Sequence, residues 1–279
     1  GGLVLEPKTG LHTECIVYLD FRAMYPSIFI SYNICPTTLL QPNETIEKIT
    51  TPHGVEFVSP EIRKGIIPKI LISLLKEREK VRSQMKSTKN ELEKRNLDAK
   101  QYALKVMANA FYGYTGYLRA RLYTLDIANS ITGCGRFLIN KTKEVAELVP
   151  DCEVVYGDTD SIMVKTKTKD LDEAFLIGKN VEEIVNKEMN GKVQMKIEYV
   201  FKTLLILSKK RYAGLSCEKL DGKWKEEFIM KGIETVRRDW CDLTTKALFE
   251  VLNILLKEQN PKKALKFIVT ALLSGLTFF

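Results

Sequence analysis

Histidine is scarce in this chain of 279 residues: only His12 and His53 are present, and the six cysteines, at 15, 35, 134, 152, 217 and 241, show no C-x-x-C spacing. A tetrahedral zinc site needs several such ligands at close spacing, so a zinc module is not expected. Thiols spread in this way fit the reduced state of a cytosolic or nuclear compartment better than a disulfide scaffold. Long hydrophobic runs are missing too. The longest apolar stretch, Phe267 to Phe279, is shorter than the ~20 residues a spanning helix requires, and Gly1-Gly2-Leu3-Val4 carries no signal-peptide pattern. No membrane partner is expected, and no internal repeat is evident.

What is abundant is charge. Lys and Arg number 43 against 35 Asp and Glu, a formal net charge of +8, and the isoelectric point is near 9.0. Such a balance favours an anionic partner, nucleic acid ahead of a membrane surface. Hydrophobic residues at 45% and charged residues at 28% are those of a folded globular protein rather than a disordered or fibrous one. The length allows one large core or two to three smaller units.

The order of elements reads as α+β. Cys15-Ile16-Val17-Tyr18-Leu19 is a buried strand that ends on Asp20, and a helical turn follows Pro26. From Thr37 to Pro60, Pro and Thr recur without a period, which predicts an irregular excursion. Pro68 then opens a helix from Lys69 to about Lys89, and a second runs from about Asn90 to Tyr112. In this hairpin Ile70, Leu71, Leu74, Leu75, Val81, Met85, Leu92, Leu97 and Leu104 form the apolar stripe, with Lys and Arg on the other faces. A helix over 125–148, strands at 153–156 and 162–164, a helix over 172–189, strands at 196–208 and 211–218 and a helical region from about Asp242 complete the reading.

Two of these strands meet in Gly157-Asp158-Thr159-Asp160-Ser161. Carboxylates at i and i+2 point to one side of a strand and suit a hard cation, because magnesium takes oxygen ligands and is commonly held by one or two carboxylates together with phosphates. Taken alone, the same residue types also make an ordinary polar turn. Asp20 at a strand end offers a third carboxylate.

Read together, Asp20-Phe21-Arg22-Ala23-Met24-Tyr25-Pro26-Ser27-Ile28, Tyr156 to Ser161 and Lys105-Val106-Met107-Ala108-Asn109-Ala110-Phe111-Tyr112-Gly113-Tyr114 resemble three motifs of family B DNA polymerases, the archaeal and eukaryotic replicative type. Lys209-Lys210-Arg211-Tyr212 is similar to the family's K-x-Y segment, and Gly232 to Trp240 to its palm-to-thumb junction. Gly1-Gly2 is similar to the tail of the segment that precedes the palm. Nearly the whole chain is covered except its final stretch. Ala23 and Met24 stand where the family usually has Ser and Leu.

The resemblance implies a polymerase palm with an antiparallel sheet and flanking helices, α-helical hairpin fingers and an incomplete helical thumb: palm over 1–67, fingers over 68–117, palm again over 118–205 and the start of a thumb over 206–279. It implies template-directed DNA synthesis by two-metal nucleotidyl transfer. Asp20 and Asp160 bridge two Mg2+ ions, with Mn2+ as a substitute, and Asp158 sits beside them; Glu198 is a further acid near the metals. Arg78 and Lys105, with Arg82 and Asn109 at i+4 from each, meet the triphosphate. Tyr25 is the wall under the sugar and Tyr112 stacks near the nascent base pair, while Lys210, Tyr212, Arg237 and Arg238 contact the primer–template duplex.

Nothing in the sequence corresponds to the family's N-terminal or exonuclease domains, and the chain ends on apolar residues. The expected partners are therefore primer–template DNA, a deoxynucleoside triphosphate and a second polymerase polypeptide carrying the exonuclease and N-terminal parts or the rest of the thumb, with a sliding clamp reached through it. The expected location is the nucleoid-associated cytoplasm of a prokaryote or the nucleus of a eukaryote. The competing reading is a catalytically silent, polymerase-like DNA-binding or scaffold subunit. A primase or reverse transcriptase is disfavoured by Tyr25 and the K-x-Y segment.

Overall fold

The computed structural model describes residues 1–41, 44–220, 222–233 and 242–273. It divides into two compact units: one made of residues 1–2, 21–140 and 189–194, the other of residues 3–20, 141–188 and 195–279.

The second unit is built on a sheet. The described strands are β1 (Gly10–His12), β2 (Ile16–Phe21), β5 (Glu153–Asp158), β6 (Ser161–Lys165), β7 (Met195–Ser208), β8 (Arg211–Leu220) and β9 (Lys223–Lys231). They lie in the order β5-β6-β2-β7-β8-β9, and β1 pairs with β7. The β5/β6, β6/β2, β7/β8, β8/β9 and β1/β7 pairs are antiparallel. Ile16, Val155, Tyr156, Met163, Phe201, Leu204, Ile206 and Tyr212 form one core cluster, and removing each such side chain from water contributes ~1.5–3 kcal/mol. A smaller cluster of Ala213, Ile233, Leu252 and Leu256 ties the sheet to α6 (Asp242–Asn253) and the π-helical turn Ile254–Glu258 that follows it. Helix α7 (Pro261–Leu273) ends the described residues.

Helix α5 (Leu171–Glu188) buries Ala174, Gly178, Val181, Glu182 and Val185, the i, i+4, i+7 stripe of an amphipathic helix. Its packing against the sheet is close. A Cβ on Gly178 would lie 2.6 Å from a Val17 methyl and 3.0 Å from Ile197 Cδ1. Two polar side chains fix the start of β7: Glu182 accepts from the Ile197 N–H at 2.9 Å, and Asn186 both donates to the Met195 carbonyl at 2.9 Å and accepts from its N–H at 2.7 Å.

The other unit is largely helical. It holds α1 (Met24–Ser31), the small hairpin β3 (Lys48–Thr50) and β4 (Glu56–Val58), α2 (Ile66–Ser87), α3 (Glu91–Thr115) and most of α4 (Leu125–Ala146). Asn33, 1% exposed, ties three of its segments together. Its amide donates to the Val58 and Arg63 carbonyls at 2.7 and 2.9 Å and accepts from the Gly65 N–H at 2.8 Å, at the point where α2 begins. Asn90 caps α3, accepting from the N–H groups of Leu92 and Glu93 at 3.0 and 3.2 Å.

Several expectations need correction. Helix α1 starts at Met24, before Pro26, and α2 at Ile66, before Pro68; each proline lies in a first turn, where no intrahelical N–H bond is lost. The irregular excursion over 37–60 carries the β3–β4 hairpin. In the α2–α3 hairpin Leu71 and Val81 are buried, but Ile70 and Leu92 are 41% and 69% exposed, because the seam between two helices covers only one narrow face of each. Strands β1 and β9 were not anticipated. Strand β7 runs without a break through residues 205 and 206, and β8 and β9 extend the same sheet.

Candidate functional site

In the sheet unit, three neighbouring strands bring the carboxylates together. Asp20 on β2 and Asp158 at the end of β5 are both paired in register with Ser161, the first residue of β6. Asp160 lies in the two-residue turn between β5 and β6. The strand alternation that would align Asp158 with Asp160 stops at Asp158, because Thr159 sits at φ 58°. A β-branched residue there costs on the order of 1–2 kcal/mol. The turn is held nonetheless: the Thr159 N–H donates to the Leu3 carbonyl at 2.8 Å, and its hydroxyl donates to Asp158 Oδ1 at 3.0 Å.

All three carboxylates bear on one phenol. Burial pushes the Tyr18 hydroxyl up to about 12, a hydrogen bond with Ser161 opposes the rise, and the charges of Asp20, Asp160 and Asp158 add to it. Tyr18 was not singled out from the sequence, yet it stands two residues before Asp20 and so on the same face of β2. Its ring stacks on Tyr199 at 4.6 Å and 10°. Glu198 is exposed on β7, and its charge reaches the Tyr199 phenol.

Lys210 enters the same place from the β7–β8 turn. Its ammonium donates to both oxygens of Asp158 at 2.7 Å, and that contact raises its pKa above the usual lysine value. Its backbone is fixed as well: Lys210 has φ 62°, and its N–H donates to the Tyr156 hydroxyl at 2.8 Å. Gly232 backs onto this turn at φ 62°, where a Cβ would lie 2.2 Å from the Lys210 carbonyl oxygen. An open cavity of about 460 Å³ results, with Tyr18, Tyr156, Asp158, Asp160, Lys210 and Tyr212 on its walls. Tyr212 is only 7% exposed and packs edge-on against Tyr156 and Phe201. It is thus a core residue with one edge on the cavity.

Carboxylate oxygens are the donors magnesium prefers, and two cations would neutralise three such groups better than Lys210 alone. Among the described residues no group of three or more His, Cys, Asp or Glu side chains is gathered tightly enough to form a closed metal cage. The donor chemistry fits ions that are completed by substrate phosphates and water rather than by protein alone.

In the helical unit, Tyr25 and Tyr112 meet with ring centroids 4.6 Å apart at 45°. The Tyr25 ring is also backed by α4, since a Cβ on Gly135 would lie 3.3 Å from it. Arg78, half-buried on α2, donates from Nε to Gln101 Oε1 of α3 at 3.3 Å; burial and the charge of Arg82 lower its pKa. Arg82, Lys105 and Asn109 are exposed on the same helical hairpin. Lys100 and Glu77 add a cross-helix ion pair at 2.9 Å. Arg237 and Arg238 lie outside the described residues. No described helix is long and apolar enough to cross a membrane.

Residues 1–277 match the family described as DNA polymerase family B. Among curated relatives, the DNA polymerase delta catalytic subunits of Plasmodium falciparum and Schizosaccharomyces pombe are 40% and 39% identical to this chain, each over 96% of it and 26% of their own length. That of Arabidopsis thaliana is 37% identical over 93% of this chain and 25% of its own length. The chain spans about a quarter of the length of these relatives. With Asp20 and Asp158 on the two strands that flank β6, Asp160 in the turn before it, and a family match over almost every residue, the chain belongs to DNA polymerase family B.

Proposed function

We propose that this chain carries out template-directed DNA synthesis, joining a deoxynucleoside triphosphate to a primer 3′-hydroxyl. The observation that supports this reading best is the convergence of Asp20, Asp158 and Asp160 around Tyr18, beside a cavity whose other wall holds Lys210. Asp20 and Asp160 would hold two magnesium ions, or manganese in their place, with Asp158 beside them. When bound, such ions stabilise charge on the attacking and leaving oxygens of an in-line displacement.

The protein's own groups have distinct tasks in this scheme. Lys210 is the counter-charge of Asp158 in the free protein. When that charge is otherwise neutralised, the ammonium is released to the primer terminus and its phosphate. Tyr212 shapes the cavity wall from the core, and Arg237 and Arg238 hold the duplex backbone. Arg78 and Lys105 meet the triphosphate, with Arg82 and Asn109 one turn along from each. Tyr25, wedged between Tyr112 and α4, is a rigid wall against a 2′-hydroxyl, and Tyr112 stacks near the nascent pair.

In architectural terms the α2–α3 hairpin is the fingers and the sheet with α5 is the palm. Because β7, β8 and β9 form one sheet, we place the passage from palm to thumb beyond Lys231 rather than at residue 206. A second polypeptide carrying exonuclease or thumb elements, and a clamp bound through it, belong to the same proposal; copurification tests them. The work would be done in the nucleus of a eukaryote or at the nucleoid of a prokaryote.

The test is incorporation of single nucleotides against each of the four template bases. The reading requires magnesium-dependent addition that follows the template base. Binding of primer–template without any addition, in magnesium or manganese, would instead favour a silent DNA-binding subunit.

A further inference from the structure

Ser161 stands at the centre of the carboxylate site and carries no charge of its own. As the first residue of β6 it is paired with Asp20 of β2 on one side and with Asp158 of β5 on the other. Directly paired residues share a face of the sheet, so the Ser161 hydroxyl lies on the face of these two carboxylates. The residue is 5% exposed. Its one hydrogen goes to the Asp158 carbonyl at 3.3 Å, which leaves the lone pairs of its oxygen to accept.

Tyr18 supplies the donor. In register it faces Met163, and Ser161 is its diagonal neighbour across β2 and β6, a separation of ~7–8 Å that an aromatic side chain can span. The two hydroxyls are hydrogen-bonded. Because the serine hydrogen is already committed to Asp158, the phenol O–H is the donor. The ring behind it is clamped by β7: Tyr199 stacks on it at 4.6 Å and 10°, and Phe201 meets it edge-on at 6.4 Å and 89°. Tyr199 and Phe201 in turn pack on each other at 5.1 Å. Tyr18 therefore presents a fixed hydroxyl at the wall of the cavity.

What this relay holds is a turn under strain. Thr159 sits at φ 58°, and Asp160 folds back so that its N–H donates to the Asp158 carbonyl at 2.6 Å. Ser161 grips the same carbonyl, so a chain of hydrogen bonds runs from the clamped phenol to the point that sets the direction of Asp160. Groups behind the ligands of an ion orient those ligands without touching the ion. We propose that Tyr18 is a positioning residue of the carboxylate site: acting through Ser161, it fixes the turn between β5 and β6 and so sets the separation of Asp160 from Asp20 across which cations bind. This rests on the metal reading of those carboxylates, and the test separates the two.

Tyr18→Phe keeps the ring and its stack and removes only the hydroxyl. Manganese binding to the DNA-free protein is read by electron paramagnetic resonance, the melting temperature by circular dichroism, and single-nucleotide incorporation over a magnesium series. Tyr18→Phe melts within a few degrees of the unaltered protein, binds manganese about tenfold more weakly and needs about tenfold more magnesium for its half-maximal rate. At saturating magnesium its rate returns to within about twofold, because the reacting groups themselves are untouched. Ser161→Ala acts in the same direction, and Y18F/S161A is no weaker than S161A alone, since the phenol works only through the serine. Tyr32→Phe, which removes a hydroxyl from a buried tyrosine of the helical unit, changes neither metal value. Unchanged manganese affinity and magnesium requirement in Tyr18→Phe overturn the proposal. A rate loss that saturating magnesium does not restore, single losses that multiply in Y18F/S161A, or an equal loss in Tyr32→Phe overturn it as well. If the unaltered protein binds no manganese, the metal reading itself fails and the proposal with it.

Discussion

At the scale of single residues, the account turns on side chains whose partners are distant in sequence. Lys210 and Asp158 are an example: the ammonium engages both carboxylate oxygens, so a cation arriving at Asp158 must displace it. The lysine is 63% exposed, and an ion pair so open to solvent contributes at most ~1 kcal/mol. Lys210→Met should therefore tighten manganese binding to the DNA-free protein by up to about fivefold, read by electron paramagnetic resonance, while primer–template binding weakens. Unchanged manganese affinity would mean the pair does not guard the site. Tyr25 gives the second residue-scale expectation. Its ring is held by Tyr112 and by α4 at Gly135, so Tyr25→Ala should lower discrimination against ribonucleotides by at least about tenfold and cost little with deoxynucleotides. Sugar selectivity equal to that of the unaltered protein would remove Tyr25 from this role.

At the scale of elements, close packing and buried phenols set the expectations. Alanine at Gly178 adds helix propensity of ~1 kcal/mol, but its Cβ would press on Val17 and Ile197, and overpacking of this kind costs ~1–3 kcal/mol. Gly178→Ala should lower the melting temperature by a few degrees; an unchanged or higher value would contradict the observed packing of α5 on the sheet. The tyrosines of the sheet are expected to resist alkali. Burial pushes Tyr18 up to about 12 and raises Tyr156, Tyr199 and Tyr212 as well. A phenol whose folded pKa exceeds its unfolded value near 10 stabilises the fold fully below pH ~10, and that contribution is lost as pH rises through about 12. Ultraviolet titration should thus show the sheet tyrosines as a separate late class that ionises only with unfolding. A single titrating class would contradict this.

The same scale explains what could be read from the sequence. Strand β2 was legible because Ile16, Val17 and Leu19 form an apolar run ending on Asp20, and α2 and α3 because of their length, charge pattern and cap. Strand β9, Lys-Trp-Lys-Glu-Glu-Phe-Ile-Met-Lys, was not: it is a mostly exposed last strand whose charges resemble those of a loop or helix. The carboxylates were legible as motifs, whereas the neighbours that tune them were not. Tyr18 could have been found by its alternation with Asp20. Nothing local announces that Lys210 reaches Asp158, that Tyr156 holds the Lys210 backbone, or that Tyr212 is buried, because each follows from how the strands pair.

At the scale of the molecule, the sheet unit holds Asp20, Asp158 and Asp160 near Tyr18, and the helical unit, taken by itself, holds the Tyr25–Tyr112 contact and the α2–α3 hairpin. The central claim is that the carboxylates serve chemistry more than DNA capture. It is tested most directly by single-turnover incorporation of one complementary nucleotide in magnesium, with primer–template affinity measured in parallel, for the unaltered protein and for Asp160→Asn. The account predicts a rate at least about a hundredfold lower in the variant, equivalent to ~2.7 kcal/mol of lost transition-state stabilisation, with DNA affinity within a few-fold. An Asp160→Asn protein that keeps a tenth or more of the rate would contradict it.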